Sequence, residues 1–250
     1  MSKEFWMLEM FKTIGFSLVL GLSLTACGEG KSSWKEEVLL HDGSKLIVER
    51  TQIYGGNHEL GQTPIKEQII SFALPNSNQL ITWKSEYSAD IGSTNFSLLA
   101  LDIVNSTPYI VADPRSCLSY NKWSRPNPPY IFFKYINQQW KKIPLSEFPV
   151  EIKEINMLLS TYGSYYLEEA IKSGFVTSDS VKKFNEDGNM PSKYKSILRE
   201  PIEKVGCEVM VRYKDGEYEA WSTPESFKEL QKSRKLSGSQ PVELIKQKKE

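Results

Sequence analysis

The chain has 250 residues, 40% hydrophobic and 25% charged, a usage typical of globular proteins and sufficient for one sizeable core. Its 31 basic residues balance 31 acidic ones, so it lacks the concentrated basic footprint of nucleic-acid-binding proteins. The composition therefore argues against a nucleic-acid partner.

The first feature along the chain is an uncharged, mostly apolar stretch, IGFSLVLGLSL, at residues 14–24. It is too short to span a bilayer, which takes about 20 apolar residues, but it matches the apolar region of a signal peptide. Lys12 stands just before it as the positive flank. The residues that end this stretch and follow it, Leu24-Thr25-Ala26-Cys27, resemble the lipobox of bacterial lipoproteins, which consists of an aliphatic residue, two small residues and a cysteine.

This resemblance implies that residues 1–26 are a signal peptide and that Cys27 becomes the lipidated first residue. Such a cysteine carries a thioether-linked diacylglycerol and usually a further acyl chain such as palmitate, and two or more chains make anchoring stable. Gly28 occupies the position where lipoproteins kept in the inner membrane commonly carry Asp, which implies the outer membrane, facing the periplasm. The alternatives are a secretory signal with a coincidental cysteine, or a buried helix. The start codon stays open between Met1 and Met10.

After the signal, residues 27–33 are predicted to be a flexible tether, because GEGKSS is small and polar. Residues 34–224 are predicted to form a single β-rich domain. Apolar, β-prone segments flank four turn signals, at Asp42-Gly43, residues 75–78, residues 105–108 and Asn137-Gln138. We therefore expect an α+β fold that is mainly antiparallel β (a sandwich, barrel or meander) with a helical insertion. The opening WKEEVLLHDG also resembles proteobacterial lipoproteins, a likeness that implies no function.

The helical segment is predicted at about residues 150–196. Ile152, Ile155, Leu158 and Leu159 have helical spacing, SYYLEEAIKSG forms a helix closed by Gly174, and TSDSVKKF begins with capping residues. A last hairpin turns across residues 214–216. The tail, residues 225–250, is expected to be polar and partly disordered.

Two cysteines remain once Cys27 is lipidated. Cys117 and Cys207 are an even pair in an oxidising compartment, which favours a disulfide over two separate buried thiols. A bridge would pack the last hairpin on the first sheet and make the helices an insertion instead of a second domain.

Catalytic and metal-binding motifs are weak in this sequence. The two histidines are His41 and His58, and the sequence that follows His58 departs from the HExxH zinc motif. Asp102 is the single acid in the apolar run SLLALDIV, so it is either a general base or, as we expect, a hydrogen-bonded strand acid. The neighbouring acids Glu36 and Glu37 should diverge, because adjacent side chains do not face one another. We predict no catalytic residue, no metal and no cofactor.

The function that these features favour is a non-enzymatic, lipid-anchored envelope protein with a structural or partner-binding role. Its predicted partners are the membrane, through the lipid on Cys27, and an envelope protein or glycan. Aromatic side chains would suit stacking on sugars if exposed, although a core role is the better interpretation. The alternatives are an envelope hydrolase or sugar-active enzyme, and an immunity protein against a toxin delivered between bacteria.

Overall fold

The structure is a computed structural model that describes residues 30–56, 63–77, 79–85, 87–159, 165–186, 190–203 and 205–245. Within these ranges the chain is α+β and mainly antiparallel β, as the sequence predicted. The strands are β1 (Lys31–Leu39), β2 (Lys45–Tyr54), β3 (Ile65–Ala73), β4 (Leu80–Ser85), β5 (Tyr87–Ser88), β6 (Ser93–Thr94), β7 (Phe96–Val104), β8 (Thr107–Pro114), β9 (Ile131–Ile136), β10 (Gln139–Ile143), β11 (Phe175–Val176), β12 (Val211–Asp215), β13 (Tyr218–Ser222) and β14 (Glu243–Leu244). The helices are α1 (Cys117–Lys122), α2 (Tyr165–Ser173), α3 (Ser178–Glu186) and α4 (Pro224–Ser237).

The first sheet has five strands in the order β11-β1-β2-β3-β4. Strands β1 to β4 form a meander of antiparallel hairpins, and β11 adds to β1 in parallel. In β1, β2 and β4 alternate residues are buried, because a period of two places every second side chain on the core face. The predicted hairpins at Asp42-Gly43 and at residues 75–78 are confirmed.

The second sheet has four strands in the order β10-β9-β8-β7. Asn105 and Ser106 connect β7 to β8, and Asn137 and Gln138 connect β9 to β10; all four have positive φ. Two consecutive left-handed residues make the turn whose twist matches that of antiparallel strands. Both predicted hairpins are therefore confirmed.

The main core lies between the two sheets, as in a β-sandwich. It includes side chains from both sheets: Val38, Val48, Ile70, Phe72, Ile81 and Trp83 from the first, and Phe96, Leu98, Ile110, Ala112 and Ile131 from the second. The second sheet is also covered on its outer face, where another cluster joins it to residues 143–159 and 197. Burial on both faces explains why β7 and β8 are nearly continuous apolar runs and do not alternate.

The segment from Val150 to Leu159 corrects the sequence analysis, which predicted a helix here. It is irregular and makes one isolated bridge, between Glu154 and Ser196. Its backbone groups bond to other parts of the fold: Met157 N donates to Leu99 O (3.2 Å) and Ile197 N donates to Lys153 O (2.8 Å). The four apolar side chains at helical spacing divide between two hydrophobic clusters: Ile152, Ile155 and Leu159 pack in one and Leu158 in the other, so they do not form a single helix face.

A buried ion pair fastens this segment to the first sheet. Arg50 Nη1 donates to Glu36 Oε2 (3.0 Å) and to Leu158 O (2.7 Å), while Leu158 N donates to Glu36 Oε1 (2.6 Å). Trp34 Nε1 donates to the same Glu36 Oε2 (3.1 Å). Glu36 is 0% exposed and Arg50 is 2% exposed, so this network is tolerated because its charges are both paired and hydrogen-bonded.

The two predicted helices after residue 164 are confirmed as α2 and α3. Gly174, with φ of 71°, ends α2, and its carbonyl accepts a hydrogen bond from Lys35 N (2.9 Å). A third cluster, with Trp34 and Leu158 among its members, packs α2, β11 and α3 against the edge of the first sheet. The helices are therefore an addition to the β core and do not form a second domain.

The predicted disulfide is present between Cys117 and Cys207, whose Cα atoms are 5.3 Å apart. The last hairpin is confirmed as β12–β13, but it forms its own three-stranded sheet with β14 instead of packing on the first sheet. Asp90 links this unit to the rest of the fold, because it pairs with Lys122 (2.8 Å) on one side and with Arg212 (3.2 Å) on the other.

Two further predictions about the ends of the domain need correction. Residues 31–33 of the expected tether lie in β1, because their backbone pairs with residues 51–53 of β2. The tail that was expected to be partly disordered has regular structure over much of its described length: α4 is capped by Thr223 and Gly238, and β14 pairs with β12. Local capping and strand pairing thus outweigh the polar composition of this segment.

Candidate functional site

A cleft of about 480 Å³ opens where the end of β1 meets residues 151–156, α3 and the 3-10 turn Ser192–Tyr194. Charged and polar groups make up much of its lining, and a few aliphatic side chains complete it. The lining residues are Leu39, Leu40, His41, Gly43, Asp102, Glu151, Lys153, Glu154, Ile155, Asn156, Ser178, Asp179, Val181, Lys182, Asn185, Glu186, Tyr194 and Lys195.

The most distinctive feature of the cleft is a hydrogen-bonded pair of His41 and Asp102. His41 Nδ1 lies 2.7 Å from Asp102 Oδ1, and the backbone N–H of His41 donates to Asp102 Oδ2 (2.9 Å). Ile103 N also donates to Asp102 Oδ1 (2.7 Å). The carboxylate is 3% exposed and the imidazole 23% exposed, so the pair extends from the interior to the edge of the cleft.

The surroundings of His41 favour its protonated form. The pKa of His41 is raised, first by the hydrogen bond with Asp102 and further by the negative charges of Asp102, Asp42 and Glu151, although burial works in the opposite direction. An imidazole whose Nδ1 is held by a carboxylate has its ring orientation and tautomer determined. His41 can therefore hold or release a proton at Nε2.

Two asparagine amides build the floor of the cleft. Asn156 donates from Nδ2 to Leu39 O (2.9 Å) and Leu101 O (2.8 Å), and its Oδ1 accepts from Leu101 N (3.0 Å). Asn185, on α3, donates to Met157 O (2.8 Å) and accepts from Leu159 N (3.2 Å). Asn156 thus supplies partners for backbone groups of β1 and β7, and Asn185 supplies them for the irregular segment at Met157 and Leu159.

The serine hydroxyl in the lining of the cleft is that of Ser178, at the start of α3, and it is the candidate nucleophile. Its Oγ donates to Glu37 Oε1 (2.8 Å) and not to His41, so the cleft does not show the nucleophile–base contact of a serine hydrolase. Tyr194 is likewise engaged, because its hydroxyl donates to the buried Asp113 (2.6 Å). Burial and the Asp113 charge raise the pKa of Tyr194, which keeps it a neutral donor.

Comparison with known proteins does not extend this picture. No protein-family model, curated protein or solved structure shows a significant match to the chain. Within the described ranges, no helix is long and apolar enough to cross a membrane. Across the same ranges, no group of three or more His, Cys, Asp or Glu side chains could hold a metal ion.

The residues predicted from the sequence fall into three groups. The lipobox, Leu24 to Cys27, and His58 lie outside the described residues. Cys117 and Cys207 are bonded to each other. Asp102 is the hydrogen-bonded strand acid that the sequence analysis favoured, with His41 as its partner.

The predicted divergence of Glu36 and Glu37 is also confirmed. Glu36 points into the core towards Arg50, whereas Glu37 pairs with Lys45 (2.8 Å) on the opposite face of the sheet. Trp34 and Trp83 are buried in the core, whereas Tyr165 and Tyr218 are exposed, so the core interpretation of the aromatic residues holds for part of the set.

Sequence reasoning missed His41 and most of the cleft. One signal was present, because an acid inside an apolar strand needs a partner. The partner could not be identified from the sequence, since His41 lies 61 positions away from Asp102.

Proposed function

We propose that the chain is a bacterial lipoprotein whose β-rich domain is held at the cell envelope by acyl chains on Cys27 and serves in partner binding. One observation underlies the proposal: the uncharged run at residues 14–24 ends in Leu24-Thr25-Ala26-Cys27. A cysteine at the end of such a run is the acylation site in the lipoproteins that this segment resembles.

Two structural features support export without deciding the anchor. The Cys117–Cys207 disulfide belongs to an oxidising compartment such as the periplasm. In addition, β1 begins at Lys31, so the ordered domain starts only four positions after Cys27. Gly28, the residue after Cys27, favours the outer membrane over the inner membrane, with the domain in the periplasm.

The test is metabolic labelling of the full chain with radioactive palmitate in a Gram-negative host. The wild-type protein should incorporate the label and a Cys27→Ser variant should not. The matched control is Cys117→Ser together with Cys207→Ser, which leaves Cys27 as the one cysteine of the chain and should keep the label per molecule unchanged. Equal incorporation in wild type and Cys27→Ser would refute the proposal.

A second candidate, an envelope hydrolase, is favoured by the His41–Asp102 pair. In this scheme His41 Nε2 takes a proton from a water molecule that attacks a carbonyl carbon, and then returns the proton to the leaving group. The test is release of nitrophenolate from p-nitrophenyl acetate by the purified protein. A rate above background that is lost in both His41→Gln and Asp102→Asn would support the hydrolase, and a rate unchanged in both variants would exclude it.

A further inference from the structure

The position of the cleft relative to Cys27 limits what can enter it, and this step rests on the proposed anchor. Lys31, the start of β1, is four positions after Cys27, a span of at most about 14 Å. The cleft begins at Leu39 and His41, at the opposite end of β1. At about 3.3 Å per strand residue, His41 lies roughly 30 Å from Lys31. The cleft therefore lies at the end of β1 opposite the point where the anchor is attached.

The charges that line the cleft are predominantly acidic. Five carboxylates, of Asp102, Glu151, Glu154, Asp179 and Glu186, face three lysines, Lys153, Lys182 and Lys195. The Lys182–Glu186 pair within α3 (4.0 Å) neutralises one charge of each sign, so the acidic excess of the lining stays at two and falls to one when His41 is protonated. A polyanion such as a nucleic acid is therefore a poor fit for this lining.

Carboxylates surround His41 at one end of the cleft. The charges that act on it come from the turn (Asp42), from β7 (Asp102) and from residues 150–156 (Glu151), and all three raise its pKa. This end of the cleft thus stabilises a positive charge. The aromatic rings of the lining are those of His41 and Tyr194, and Lys193 Nζ lies over the Tyr194 ring at 4.5 Å, so the lining offers little aromatic surface to a sugar.

We propose that the cleft is a docking site for a basic segment of a water-soluble polypeptide, with a Lys or Arg side chain placed against Glu151 and the His41–Asp102 pair. The aliphatic side chain of Leu39, which lines the cleft and is 44% exposed, receives the carbon stem of that residue, since Lys and Arg bury their stems while the charged head stays polar. The bound cation and a proton on His41 exclude one another, because both are attracted to the same carboxylates.

The experiment uses the lipidated full chain in phosphatidylcholine nanodiscs, which carry no net charge to attract the probe. Three capped peptides, Gly-Lys-Gly-Lys-Gly and its Glu and Gln counterparts, are titrated into it by calorimetry. The Lys peptide should bind at least tenfold more tightly than the other two. Its Kd should be lower at pH 8 than at pH 6, and His41→Gln should remove this pH dependence.

Variants locate the binding. Glu151→Gln, at an exposed residue, should weaken the Lys peptide about five- to tenfold, and the matched control Glu229→Gln, exposed on α4, should change its Kd less than twofold. Equal or tighter binding of the Glu or Gln peptide, or no effect of Glu151→Gln, would overturn the docking site. Palmitate labelling of the same preparation tests the anchor separately. An unlabelled protein that binds the Lys peptide would refute the lipoprotein proposal and leave the basic-segment site in place.

Discussion

Replacing Glu36 by Gln should strongly destabilise the fold, because Glu36 is the acceptor for three buried donors. Its Oε2 accepts from Trp34 Nε1 and Arg50 Nη1, and its Oε1 accepts from Leu158 N. A glutamine offers one oxygen and one NH₂ group, so in either orientation a donor group faces donors. The variant also leaves the Arg50 charge buried without its counter-ion.

The magnitude follows from these contacts. Each buried polar group that loses its partner costs about 1–3 kcal/mol, and removing one partner of a buried ion pair typically costs about 3–5 kcal/mol. We therefore expect Glu36→Gln to lower the free energy of unfolding by about 3–5 kcal/mol. The matched control is Glu49→Gln, beside Arg50 but exposed, which should stay within about 0.5 kcal/mol of wild type.

The assay is equilibrium urea unfolding with the disulfide intact, followed by tryptophan fluorescence, with the free energy extrapolated to water. A double-mutant cycle with Arg50→Met should give a coupling energy of about 1–3 kcal/mol, since the two side chains share one network. A loss below about 1 kcal/mol for Glu36→Gln, or additive effects in the cycle, would show that the network does not stabilise the fold as described.

Three further outcomes are expected. Because the pKa of His41 is raised in the fold, its contribution to stability is fully present below its unfolded pKa and is lost as the pH rises through its folded pKa. The urea midpoint of wild type should therefore fall between pH 6 and pH 9, and that of His41→Gln should fall less. Identical pH profiles of the two proteins would contradict the raised pKa of His41. Removing the disulfide by Cys117→Ser with Cys207→Ser opens a loop of 90 residues and should lower the free energy of urea unfolding by about 4–5 kcal/mol relative to oxidised wild type, by chain entropy. Reduced wild type should match the double variant. Asn156→Ala removes three hydrogen bonds to backbone groups and should lower stability by about 2–3 kcal/mol, while Asn156→Asp should recover only the bond from Leu101 N; a neutral Asn156→Ala would mean that water replaces the amide.

Two failures of the sequence analysis have different reasons. Residues 152–159 have helical spacing, yet they adopt an irregular path because Glu36, Leu99 and Asn185 supply partners for their backbone. The ordered tail was missed because its composition is polar, although its N-cap Thr223 and its C-terminal Gly238 are recognisable helix signals.

The sequence by itself determined the local structure: the strands of the two main sheets, their turns, helices α2 and α3, and the even cysteine pair. These follow from interactions within a few residues, such as side-chain alternation and turn conformation. Only the tertiary structure decided which distant groups meet. His41 reaches Asp102 across 61 positions, and Leu158 reaches Glu36 across 122. Such contacts form because buried polar groups must find partners wherever the packed sheets bring them, and no local pattern records that choice.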